Sequence, residues 1–70
     1  MGATSGQHNM MYEKYSKLRD EKGVTDYEVS KNTGVSTPTL TSWKQGKYTP
    51  KIDKITQIAN YFGVEVGYFL

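Results

Sequence analysis

Apolar residues recur at helical spacing in four blocks of this chain, and each block closes on a glycine. In the first, Met11 to Lys22, Met11, Tyr15 and Leu18 fall at i, i+4 and i+7, one amphipathic face. Gly23 ends it, and Val24 is expected to turn inward after the glycine. The second runs from Thr25 to Thr33. Thr25 caps it and Glu28 follows three residues later, the spacing of a capping box. Val29 is its apolar contact, beside the small Ser30, and Gly34 closes it. Ser36 caps the third block, which reaches about Gln45. Pro38 lies in its first turn, where a missing N–H costs little. Leu40 and Trp43 share its inner face, and Gly46 breaks it. After the loop GKYTP, Pro50 is expected to open a fourth helix with Thr49 as cap. Ile52, Ile55, Ile58, Ala59 and Phe62 form its apolar stripe. Gly63 closes it, and Val64 turns inward. Glu65 to Leu70 leaves room for one short last helix with Val66, Tyr68, Phe69 and Leu70 as its apolar set. The reading is therefore all-α, with five helices in one small domain over residues 10–70. Residues 1–9, MGATSGQHN, are small, polar and without periodicity. They read as a disordered tail or cloning remnant, and His8 within them as inert.

A helix, a glycine turn and a second helix make the helix-turn-helix unit. The ordered set Asp26, Ser30, Gly34, Val35, Leu40 and Trp43 resembles the Cro and lambda-repressor class, the XRE family. The flanks EKGVT, GKYTP and NYFGVEVGYFL resemble it too, so the likeness spans about Met11 to Leu70. It implies a compact lambda-repressor-like domain that binds double-stranded DNA. The second helix of the unit would enter a major groove about 12 Å wide, close to a helix diameter.

Composition narrows the classes. The chain has 70 residues, no cysteine and a net charge of +2. Neither a disulfide framework nor a cysteine metal site is available, and no metal, cofactor or small-molecule ligand is inferred. With one histidine, in the tail, and no phosphate-binding glycine loop, an enzyme is not expected. No apolar run approaches the roughly 20 residues of a membrane span. No secretory signal is visible, so the expected location is the cytoplasm of a bacterial or phage-infected cell. The mean charge says little, but its distribution says more. Lys31, Lys44, Lys47 and Lys51 lie between Val29 and Ile52 with no acid among them, which allows one basic face.

On the resemblance, the base-contacting positions fall on Ser36, Thr37, Pro38 and Ser42, with Thr41 nearby. This set has no Arg, Gln or Asn for bidentate base contacts. Hydroxyls discriminate poorly, whereas Thr methyls and the Pro ring suit thymine methyls. Phosphate contacts are expected from Lys44, Gln45, Lys47, Tyr48 and Lys51, and from the helix start at Thr25. A homodimer is expected on an imperfect palindrome, its interface formed by Tyr61, Tyr68, Phe69 and Leu70. The expected role is a transcriptional repressor. The alternative is a protein-interaction or antitoxin-type module on the same fold. Trp43 is read as core rather than as a base-stacking platform, and Tyr27 and Tyr48 as surface residues.

Two positions depart from the family pattern. The family often pairs an arginine at Arg19 with a glutamate where this chain has Lys44, so that pair cannot form. Where glutamine commonly bonds a phosphate, this chain has Asp26. Either Asp26 turns away, or the domain docks differently, or binding is weak.

Overall fold

The computed structural model describes residues 10–70; the expectations for residues 1–9, His8 included, lie outside the described residues. The elements are α1 (Met10–Lys22), α2 (Asp26–Thr33), α3 (Thr37–Lys44), α4 (Ile52–Phe62) and a single 3-10 turn (Val66–Tyr68). There are four α-helices among the described residues rather than five. The last segment is too short to repay helix nucleation and carries Gly67 at its centre. It closes instead with i to i+3 bonds, Tyr68 N–H to the Glu65 carbonyl at 2.9 Å and Phe69 N–H to that of Val66 at 3.0 Å.

Local chemistry sets the helix ends. Thr25 Oγ1 accepts the Glu28 N–H at 3.2 Å, and Glu28 Oε1 accepts the Thr25 N–H at 3.0 Å, the reciprocal capping box. Gly34 then takes φ +79°, and its N–H bonds the Ser30 carbonyl at 2.9 Å. Side chains other than glycine enter that region at a steric cost, so this residue sets where α2 stops. The turn has a second fastener. Thr33, 4% exposed, donates through Oγ1 to the Val29 carbonyl at 2.7 Å and accepts the Val35 N–H at 3.2 Å.

The start of α4 differs from expectation. Lys51, in extended conformation, is the N-cap and makes no side-chain capping bond. Pro50 is buried outside the helix. Pro50 and the buried Ile55 thus occupy the two positions of a hydrophobic staple. Ile52 is 57% exposed rather than part of the core. Side chains lean toward a helix N-terminus, so a first-turn residue reaches past the edge of the core.

The core joins all four helices: Tyr12 and Tyr15 from α1, Val29 from α2, Leu40 and Trp43 from α3, Ile55, Ile58 and Ala59 from α4, with Val35 and Phe69. Its organising contact is aromatic. Trp43 lies against Tyr15 with centroids 5.4 Å apart and planes at 28°, and meets Tyr12 edge-on at 5.5 Å. Tyr15 also meets Phe62 edge-on at 6.0 Å. Such offset and edge-on pairs suit the ring quadrupole. They hold α3 by its rear against α1.

Candidate nucleic-acid interface

The outer side of α3, exposed at Ser36, Pro38 and Thr41, runs on into the exposed segment after it. Ser36, the N-cap of α3, accepts the Thr39 N–H at 3.3 Å. The two hydroxyls, Ser36 Oγ and Thr39 Oγ1, are themselves hydrogen-bonded at 2.8 Å. The helix start therefore engages both hydroxyls internally. Pro38 and Thr41 are exposed, while Thr37, Thr39 and Ser42 are half-buried. Leu40 and Trp43, 0% and 2% exposed, take the opposite side. Past the helix, Lys44, Gln45, Lys47, Tyr48 and Lys51 are all exposed. The first turn of α3 carries no acid. Pro38, Thr39, Ser42 and Tyr48 together line a shallow, open depression of about 300 Å³, so the fold brings Tyr48 of the loop against the α3 surface.

The start of α2 has the opposite character. Asp26 and Glu28 both lie in its first turn, favoured there by the helix macrodipole. Thr25 is exposed, but its hydroxyl and its amide are already committed to Glu28.

Asp26 resolves both departures noted in the sequence. Its Oδ1 accepts from the Tyr15 hydroxyl at 2.6 Å and from Arg19 Nη1 at 2.9 Å. Arg19 thus finds its partner on α2 rather than on α3, and the carboxylate is directed at α1. Arg19 also bonds Asp20 through Nε and Nη2 at 3.2 and 3.1 Å, and its guanidinium lies 5.7 Å from the centre of the Tyr15 ring. Partial burial pushes the Asp26 carboxyl up. The Tyr15 hydroxyl, the Arg19 guanidinium and the charge of Lys44 outweigh that and hold it below its ordinary value. Burial, reinforced by Asp26, pushes the Tyr15 hydroxyl well above its usual range. Sequence reading missed this network. The available signal was the seven-residue separation of Arg19 and Asp26 across the Gly23 turn.

At the opposite end, Tyr68 and Leu70 are exposed and Tyr61 is half-buried, but Phe69 is 1% exposed. Phe69 is therefore corrected from the dimer surface to the core. The 3-10 turn points it inward, where a buried aromatic ring gains more than it would at a rim. Lys22 Nζ lies 5.4 Å from the Tyr61 ring centre, and Lys14 Nζ lies 5.8 Å from that of Tyr68.

A model of the helix-turn-helix family matches residues 16–69. The chain belongs to the XRE-family helix-turn-helix proteins. That family is one of DNA-binding transcription regulators, and this assignment applies to the chain at family level. It is a regulatory family rather than a typically enzymatic one. Neither a curated protein nor a solved structure shows significant similarity to the chain. Among the described residues, no helix is long and apolar enough to cross a membrane, and no group of three metal-ligating side chains is assembled.

Proposed function

We propose that this XRE-family domain is a sequence-specific repressor that inserts α3 into the major groove of an operator. The observation that carries the proposal is the two-sidedness of α3. Leu40 and Trp43 fix its rear in the core, and the other side is exposed and continuous with Lys44, Lys47 and Lys51. Thr37, Pro38, Thr41 and Ser42 meet the bases. Ser36 has no base role in this reading, because its hydroxyl is engaged by Thr39. Lys44, Gln45, Lys47, Tyr48 and Lys51 meet phosphates. Thr25 has no phosphate role in this reading, because its hydroxyl and amide are engaged by Glu28. Asp26 does not repel the backbone strongly, since Arg19 and Tyr15 hold it.

Repression follows from occlusion. Two copies place their α3 helices in successive major grooves, about 34 Å apart, on an imperfect palindrome. Tyr61, Tyr68 and Leu70 form the contact between copies.

Selection of bound sites from random duplex DNA, read at two salt concentrations, tests the proposal. Recovery of a palindrome supports both sequence specificity and a twofold complex. Recovery of a single half-site removes the dimer, and recovery of no preferred sequence removes sequence-specific regulation. A partner protein bound with no sensitivity to salt favours the interaction-module alternative instead.

A further inference from the structure

We infer that Tyr48 is a specificity-determining residue: with Pro38, Thr39 and Ser42 it forms a notch that receives the 5-methyl edge of one thymine in each half-site. The inference rests on the DNA-binding reading above and deepens it. The depression these four residues line is open and of about 300 Å³, enough for the edge of a pyrimidine entering from the groove. Its walls match that edge. The Pro38 ring and the Tyr48 ring are apolar. Thr39 has its hydroxyl tied to Ser36 at 2.8 Å, so its methyl is the group left for contact. Ser42 makes no side-chain hydrogen bond among the described residues. Its hydroxyl is available as a donor beside the apolar walls. In the major groove, thymine presents a methyl group next to the O4 acceptor, the complement of apolar walls beside a hydroxyl donor. Cytosine lacks the methyl and offers a donor at the adjacent position.

Tyr48 is 45% exposed, and its hydroxyl alone would suit a phosphate. The notch gives its ring a separate task, and the two roles come apart in Tyr48→Phe and Tyr48→Ala. The experiment measures fluorescence anisotropy of the full chain on operators recovered by selection. Thymine is replaced by uracil one position at a time, with a random-sequence duplex and a salt series in parallel. The wild-type chain is expected to bind about three- to fivefold more weakly when one particular thymine per half-site loses its methyl, the scale of one buried methyl group. Tyr48→Phe keeps that ratio. Tyr48→Ala brings it to about one at that position alone and leaves the salt slope as it was. Two results overturn the inference while leaving DNA binding intact. One is that uracil is tolerated at every position. The other is that Tyr48→Phe and Tyr48→Ala weaken all duplexes alike, with or without the thymine methyl, the mark of a hydroxyl contact to phosphate. Binding to no duplex at low salt overturns the functional reading itself.

Discussion

Replacing Asp26 with asparagine isolates one charge in the network that joins α1 to α2. The asparagine Oδ1 still accepts the Tyr15 hydroxyl, whose bond to Asp26 is 2.6 Å, but the ionic half of the 2.9 Å contact to Arg19 disappears. Hydrogen bonds to charged groups contribute about 1.5–3 kcal/mol. The Asp26 side chain is 36% exposed, and solvent screening reduces the charge contribution, so Asp26→Asn is expected to cost about 1 kcal/mol at pH 7. For a domain of this size that lowers the melting temperature by roughly 4–8 °C. Asp26→Ala costs more, about 2–3 kcal/mol, because the buried Tyr15 hydroxyl then has no acceptor. The pH dependence gives the sharper test. The folded chain holds Asp26 below its ordinary value. Its contribution is therefore fully present above the unfolded value of about 4 and is lost as pH falls through the lower folded value. Urea titrations of both chains between pH 7 and pH 2 should give curves that are separate at neutral pH and converge in acid. The difference between them cancels the other carboxylates. Curves that coincide at pH 7, or stay parallel down to pH 2, would refute the reasoning that Arg19 and Tyr15 stabilise an ionised Asp26.

Three further expectations follow from the turn, its fastener and the loop. Gly34→Ala meets no atom within 4 Å of the new Cβ, so its cost is conformational alone, about 1–2 kcal/mol; thermal melting reads it, and Gly34→Asn should cost less. Thr33→Val keeps the shape but leaves the buried Val35 N–H without its acceptor, a loss of about 1–2 kcal/mol in chemical denaturation; an unchanged midpoint would show that another group takes the N–H. Lys47→Ala should leave stability unaltered, since the side chain is exposed, and reduce the log–log salt slope of duplex binding by roughly 0.9 per copy bound; an unchanged slope removes Lys47 from the phosphate contacts.

Much of the frame was legible because its signals are local. Thr25 and Glu28 announce their capping box by spacing, and Gly34 marks a left-handed turn. Leu40 and Trp43 declare the buried side of α3 by their three-residue interval. The misreadings have local causes as well. A periodic stripe does not say where its helix begins, so the pattern alone assigns Ile52 to the core and Pro50 to the helix. The last six residues are too few for a period to show, and the alternation of exposed Tyr68, buried Phe69 and exposed Leu70 belongs to a 3-10 turn. The Asp26 network was illegible for a different reason. Sequence shows an acid at a helix start, and the helix dipole alone accounts for that. Only the packing of α1 across α2 brings Tyr15 and Arg19 to the same carboxylate oxygen. For the candidate interface, sequence indicated which residues are exposed. It did not indicate that the loop returns Tyr48 to Pro38, Thr39 and Ser42.

The clasp of Tyr12, Tyr15 and Trp43 behind α3 has a consequence for how such a domain can change over time. Everything that anchors the helix lies on one side of it, while Pro38, Thr41, Lys47 and Tyr48 on the other side are exposed and stand outside the core. Exposed substitutions away from caps and cores usually move stability by no more than about 0.5 kcal/mol. At these four positions the surface proposed to choose a DNA sequence can therefore be rewritten one residue at a time without unfolding the chain. Preference can drift, or be engineered, on a scaffold whose folding does not depend on it.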